Sequence, residues 1–197
     1  DIDIKLYVYD LKKEQGHSMK EVWKKTKKRN LNNCAACGVV KKWVLNKKAR
    51  ELGFDFIATG HNIDDEVETF LINLLKGSLK LSLNTGFITQ NSGDKKFVTR
   101  LKPLFYVSNE AVLNYAKKNK LPFVEGKCPN AEESYRLEVR KWLVKNVNDN
   151  EKINLIKNLE SLQKRMKSDK EFKVGYCSFC GEPARRDVCK KCSLLNG

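Results

Sequence analysis

The stretch Phe54-Asp55-Phe56-Ile57-Ala58-Thr59-Gly60-His61-Asn62-Ile63-Asp64-Asp65-Glu66-Val67-Glu68-Thr69 decides the fold. Its first six residues read as a short buried strand with apolar side chains on both sides, as in a parallel strand covered by helices. A helix follows from about Asp64 to Lys76 and is closed by Gly77, which makes a βα unit. Gly60-His61-Asn62 then falls at the carboxyl edge of the sheet, where open α/β sheets bind ligands. Backbone amides at Gly60 and the polar ring of His61 are placed to meet a nucleotide phosphate or an adenine. Carboxylates in a first helical turn also favour the macrodipole, and capping accounts for Asp64. An acid at this edge can hold Mg²⁺ on phosphates or act as a base. A histidine in such a place is more often a hydrogen-bonded structural residue than a catalyst, so no mechanism is built on His61.

Upstream, Cys34-Ala35-Ala36-Cys37 opens a helix in which Val39, Val40, Trp43, Val44, Ala49 and Leu52 recur at helical spacing, with Gly53 as its cap. A polar, basic stretch from Lys12 to Asn33 precedes it. The opening Ile2–Tyr9 alternates apolar and polar residues as a half-buried strand does, so the chain is expected to start inside a fold. Downstream, Leu79–Leu101 is irregular or hairpin-like, with a turn signal at Asn91-Ser92-Gly93-Asp94. Ser108–Asn119 reads as a capped helix with Ala111, Val112, Tyr115 and Ala116 as its apolar stripe, and Pro122-Phe123-Val124 as another short strand. Ala131–Met166 is helical, broken at Asn148-Asp149-Asn150, with Leu137, Trp142, Leu143, Ile153, Ile156, Leu159 and Leu162 as core candidates. From Tyr176 to Leu195 the chain is rich in Cys, Gly and basic residues and is expected to be a separate module. The expected class is α/β: a partial parallel sheet flanked by helices, then a helical C-terminal extension and a ribbon, divided at residues 1–126, 127–172 and 173–197.

Composition narrows the function. With 197 residues, 41% of them apolar, and only 11 Gly and 4 Pro, neither a disordered nor a fibrous chain fits. A net charge of +15 draws polyanions or acidic membrane surfaces, and nucleic acid is the leading partner. No apolar run reaches the length that spans a bilayer, and no leader pattern opens the chain, so the cytoplasm is the expected compartment and no membrane partner is expected.

The seven cysteines form two groups. Cys177-x2-Cys180 and Cys189-x2-Cys192, eight residues apart, match the two knuckles of a zinc ribbon. So short a module folds on its metal; disulfides or free thiols are the alternatives that the spacing and a reducing compartment disfavour. Arg185, Arg186, Lys190 and Lys191 lie among the knuckles, where they can touch RNA or simply be solvated. Cys34, Cys37 and Cys128 leave an odd count. Three thiolates suit an iron-sulfur cluster with one iron open, a zinc with a fourth non-cysteine ligand, or a sulfur-relay pair with a bystander. One buried thiol beside an accidental pair is the remaining possibility.

Taken in order, Cys34-x2-Cys37, Ala58-Thr59-Gly60-His61-Asn62-x-Asp64-Asp65-Glu66, Leu101-Lys102-Pro103-Leu104, Cys128-Pro129 and the terminal ribbon resemble the tRNA 2-thiouridine synthetases of the TtcA/TtuA group, in the PP-loop (N-type ATP pyrophosphatase) superfamily. The resemblance runs from about Ile4 to Cys192, and the ribbon points to the archaeal and eukaryotic cytosolic branch. It implies a Rossmann-like PP-loop ATPase domain in residues 1–126 and ATP-dependent 2-thiouridine formation: ATP with Mg²⁺ adenylates the C2 oxygen of a tRNA uridine, and sulfide then displaces AMP. It further implies a 4Fe-4S cluster on Cys34, Cys37 and Cys128 whose open iron carries the sulfur, Lys41 and Asp65 as catalytic residues, and Gly60 and His61 beside ATP. By the same resemblance, zinc fills the ribbon, sulfide or a ubiquitin-like carrier donates sulfur, and the assembly is a homodimer. Without the resemblance, Lys41 reads as a solvated lysine, and Arg136 and Arg140 as helix surface that could contact tRNA phosphates. The alternatives to this chemistry are a noncatalytic, zinc-stabilised RNA-binding module and a persulfide relay between Cys34 and Cys37. The family's Ser-Gly-Gly-x-Asp-Ser phosphate loop does not occur in these residues, and Ser92-Gly93-Asp94-Lys95 lies in a turn; upstream residues or a second polypeptide are expected to supply it.

Overall fold

The computed structural model describes residues 4–28, 32–89, 94–124, 126, 128, 135–166 and 174–196. Asp10 caps α1 (Leu11–Gln15) by accepting from the amides of Lys12 and Lys13, and Gly16, at φ 73°, ends it. The chain continues through α2 (Met19–Lys28) and α3 (Asn33–Glu51), and Asn32 caps α3 by accepting from Cys34 N at 2.8 Å and Ala35 N at 3.3 Å. Gly53 takes φ 73° just past the end of α3, a turn that lets Phe54 N reach back to Ala49 O at 2.8 Å. That reversal runs β1 (Phe56–Ala58) antiparallel to α3, so the first turn of α3 and the carboxyl end of β1 share one end of the molecule.

After β1 come α4 (Ile63–Leu75), α5 (Leu79–Ser82), β2 (Ile88–Thr89) and β3 (Thr99–Leu101). The sheet order is β1-β3-β2: β1 and β3 are parallel, with Phe56, Ile57 and Ala58 opposite Thr99, Arg100 and Leu101, and β2 is antiparallel to β3. α3 covers one face of this sheet through Ala49, Ile57 and Val98. There the buried Asn46 acts as a surrogate strand, donating to Lys96 O at 2.7 Å and accepting from Val98 N at 3.0 Å. Then follow α6 (Asn109–Lys118), α7 (Tyr135–Asn146) and α8 (Asp149–Met166). The main core lies where α4 packs on α7 and α8, around Ile63, Val67, Phe105, Val139, Leu143 and Ile156. The tail forms a β4 (Gly175–Tyr176) and β5 (Pro183–Ala184) hairpin and a last helix, α9 (Lys190–Asn196), which lies on α2 and α3.

Several expectations from the pattern change in three dimensions. Residues 4–9 are irregular, exposed up to Val8 and half-buried at Tyr9, touching the fold through Tyr7 edge-on to Phe54 and Lys48 over Tyr9. Alternation makes a strand only where a sheet edge accepts its hydrogen bonds, and no described strand pairs with this stretch. β1 buries Ile57 alone, on the face that α3 covers, and leaves Phe56 58% exposed. Pro122-Phe123-Val124 is likewise an exposed coil, and the stripe on α6 is at most half buried, with Val112 and Ala116 half-buried and Ala111 and Tyr115 exposed. Of the core candidates in 131–166, Leu143, Ile156 and Leu159 are buried, Leu137 and Ile153 half-buried, and Trp142 and Leu162 exposed, since α7 meets α4 along a narrow seam. The turn signal at 91–93 and residues 131–134 lie outside the described residues.

Candidate functional site

At the carboxyl edge of β1 the pairing with β3 extends one residue further, Thr59 N donating to Leu101 O at 2.9 Å. Gly60 and His61 then project into solvent, with His61 Nδ1 2.9 Å from Thr59 Oγ1. Asn62 is the N-cap of α4, accepting from Asp65 N at 3.1 Å while Asp65 Oδ2 accepts from Asn62 N at 3.2 Å. The capping acid is therefore Asp65 and not Asp64, because the box joins the cap to the third helical residue. Asp64 instead ties α4 to its neighbours, accepting from Asn109 N at 2.6 Å and pairing with Lys152 at 2.8 Å.

The remaining acids of this turn face inward and are paired with cations brought from distant elements. Glu66 meets Lys102 at 2.6 Å, both largely buried. Glu68, 1% exposed, takes Arg136 at 3.2 Å and the Nε of Arg140. Arg140 also reaches Asp65 at 3.3 Å, and Arg136 donates to Thr69 Oγ1 at 2.9 Å. Arg136 and Arg140 are thus committed to the protein's own carboxylates, although each guanidinium keeps an exposed edge. Asp65 is 25% exposed and uses one contact on each oxygen. An ionised carboxylate has about four acceptor directions, so roughly two remain for a cation or a proton.

Beside this edge lies a group of cations. Arg100, in the middle of β3, donates to the backbone carbonyl of Lys42 at 3.3 Å. Burial pushes the Arg100 guanidinium below its ordinary value. Loss of solvent around its ammonium, then the positive charges of Arg100, Lys102, Arg136 and Lys190, push Lys42 down as well. Lys41, its neighbour, is exposed.

Cys34, exposed, and Cys37, half-buried, sit one turn apart at the start of α3, and Lys41 continues the same face four residues on. With a rise of about 1.5 Å per residue, Cys34 lies about 12 Å along the helix from Lys42, beyond the sheet and on the side of Gly60. Cys128 is a free, exposed thiol. Among the described residues, one group of His, Cys, Asp or Glu donors gathers at single-ion spacing, and it is Cys177, Cys180, Cys189 and Cys192, whose sulfurs all lie within 4.8 Å of one another. Cys34, Cys37 and Cys128 are not drawn together in that way; they are three unbridged thiols, two of them one turn apart on α3, a donor set chemically suited to an iron-sulfur cluster. Within the closed set, burial opposes ionisation of Cys177, yet amide donors from Cys189, Cys180 and Phe179 outweigh it and bring that thiol down to about 6. Burial and its thiol neighbours push Cys192 up. Four sulfurs at this spacing demand a cation to ionise together.

The pairings of Glu66, Glu68, Arg100 and Lys152 were not visible in the sequence. Each joins residues dozens of positions apart, and local spacing carries no signal for that.

A mixed sheet with one parallel pair and a polar loop at its carboxyl edge, joined to four clustered thiols that could hold a metal ion, defines an α/β protein of the class that binds ligands at that edge. Residues 13–150 match the model of the PP-loop domain, and the chain belongs to that family. It is 32% identical over 200 residues to a probable sulfurtransferase of Methanocaldococcus jannaschii, covering 99% of this chain and 57% of that protein. With the cytoplasmic tRNA 2-thiolation protein 1 of Candida glabrata it shares 36% identity over 176 residues, covering 84% of this chain and 48% of the relative. Among solved structures it is similar to the U34-tRNA thiolase NcsA from Methanococcus maripaludis with its 4Fe-4S cluster, at TM-score 0.64 and 30% identity over 82% of this chain and 51% of that one. The chain thus spans about half the length of these relatives. No helix among the described residues is long and apolar enough to cross a membrane.

Proposed function

We propose that this chain is the cluster-bearing and adenylating part of an ATP-dependent tRNA 2-thiolation enzyme of the cytoplasm. The observation that carries the reading is the shared end of the molecule: α3 runs back along the sheet, Asn46 bonding Lys96 and Val98 and Lys42 bonding Arg100, so Cys34 and Cys37 at its start lie toward the end that holds Gly60-His61 and the partly open Asp65. In the reaction, the O2 of a tRNA uridine bonds to the α-phosphorus of ATP as pyrophosphate leaves. Sulfide then attacks C2, and the C2–O bond breaks to release AMP. Gly60 and His61 border the nucleotide, and Asp65, held by Arg140 and the Asn62 amide, binds Mg²⁺ or takes the proton. Lys41 offsets phosphate charge from the thiol-bearing face of α3. Cys34, Cys37 and Cys128 would hold a 4Fe-4S cluster, which when bound supplies an iron with an open coordination position. Zinc is the ion that suits the closed four-thiol site. The division into residues 1–126, 127–172 and 173–197, a homodimer, and sulfide or a ubiquitin-like carrier as donor complete the reading.

The test is purification without oxygen, then measurement of iron, acid-labile sulfide and zinc before and after cluster reconstitution. About four irons and four sulfides with one zinc per chain are expected. Zinc without iron after reconstitution overturns the cluster and favours the persulfide relay, for which the one-turn spacing of Cys34 and Cys37 is suited.

A further inference from the structure

The closed thiol site and the open one are joined through a small apolar core. Leu194 and Leu195, two and three residues beyond Cys192 on α9, pack with Val22 and Ala36, all nearly inaccessible to solvent, and Met19 and Val39 close the cluster. Ala36 lies between Cys34 and Cys37 in the sequence, so the inner side of the cysteine turn rests on α9 while its outer side carries the free thiols. Polar contacts hold the same junction. Thr26 donates to Asn33 Oδ1 at 3.0 Å, both residues buried, and thereby fixes the start of α3 on α2. Lys25 donates to the carbonyl of Leu195, and Lys191 donates to Gln15 with its ammonium 4.0 Å from the Trp43 ring centroid. At the other end of α3, Arg50 pairs with Glu182 of the hairpin.

We infer that the four-thiol metal site is the anchor that sets the geometry of the Cys34–Cys37 turn, with Leu194 and Leu195 as its positioning residues. The physical chain is short. A hairpin and a two-turn helix bury too little apolar surface to hold a shape alone, so the ion that Cys189 and Cys192 help to ligate fixes the start of α9. Fixing α9 seats Leu194 and Leu195, and these cover Ala36 and Val39. α3 begins at Asn33, and its first-turn amides have no helical carbonyls to bond; the Asn32 cap and this apolar cover hold the turn together. Loss of the ion or of the two leucines lets the turn fray, and two thiols that must converge on one cluster lose their fixed spacing. The part played by iron rests on the thiolation reading; the coupling between α9 and the cysteine turn does not.

The experiment is amide exchange read by mass spectrometry on the metal-loaded chain, kept free of oxygen, comparing the wild type with the Leu194→Ala/Leu195→Ala variant. Exchange across residues 36–40 is expected to accelerate by on the order of tenfold or more, while α4 amides in 67–75 keep their protection and the four-thiol site keeps its ion. Cys34 and Cys37 are expected to alkylate faster, and iron retained after reconstitution to fall several-fold. Should the double variant not fold, stripping the ion from the wild type with a chelator reads the same amides, with the same acceleration expected. Unchanged protection at 36–40 after both manipulations overturns the inference. If the wild type takes up no iron at all, the thiolation reading fails alone, because the exchange result still decides this one.

Discussion

The two sets of cysteines in this chain use one ligand for opposite ends. Cys177, Cys180, Cys189 and Cys192 come from a tight turn and the start of α9, converge within 4.8 Å and are mostly buried. Cys34, Cys37 and Cys128 come from a helix start and a distant segment and are not gathered with the others, Cys34 and Cys128 exposed and Cys37 half-buried. A closed set satisfies every position of its ion and stabilises the fold, whereas a set that must meet substrate leaves part of its coordination to something else. The acids of α4 divide in the same way. Glu66 and Glu68 are sealed against cations, at 6% and 1% exposure, while Asp65 keeps 25% of its side chain open. Glu68 meets the open Asp65 through the Arg140 they share.

Breaking the closed thiol set has the largest expected effect. Cys177→Ser removes one of four ligands, and an apparent metal-binding free energy on the order of 10 kcal/mol no longer supports the tail. Metal content should fall to near zero, and amides throughout 175–195 should exchange freely. Breaking the open set should leave the fold alone. Cys128→Ser is expected to abolish reconstituted iron and thiolation, with urea stability within about 0.5 kcal/mol of wild type, as for other exposed positions; stability loss of several kcal/mol, or thiolation that survives, would erase the distinction between the two sets.

Glu68→Gln removes the charge that holds Arg136 and Arg140. Because both arginines are nearly half exposed, the cost is expected to be about 2 kcal/mol in urea unfolding, below that of a fully buried pair. Asp65 combines a small stability change with the sharpest contrast. Asp65→Ala loses the capping box at a cost of about 1 kcal/mol, whereas Asp65→Asn keeps a capping oxygen and should unfold within about 0.5 kcal/mol of wild type. Thiolation is expected to fall on the order of 10²-fold in both variants, the lower end of what a positioned acid or base contributes. Full activity in Asp65→Asn would reduce Asp65 to a cap.

Local chemistry was enough to read a helix from about Asp64, one residue past its observed start at Ile63, the glycine stops at Gly53 and Gly77, and the spacing of the terminal cysteines, because each depends on residues within a turn or two. The same logic erred where the outcome lay elsewhere in the chain. Ile4–Tyr9 and Pro122-Phe123-Val124 carry strand-like side chains, yet no described strand pairs with them. Asp64 looked like the cap because it is acidic and early; the box chose Asp65 once Asn62 took the cap position.

The sequence by itself determined which residues can ligate, cap and turn, since thiol, carboxylate and glycine chemistry belongs to the side chain. Only the tertiary structure decided which of them are sealed and which are open. Burial of Glu68 under two arginines from α7, and the seating of Leu194 and Leu195 beneath the Cys34 turn, arise from contacts across 68 to more than 150 positions, where chain entropy is overcome by packing and not by any local preference.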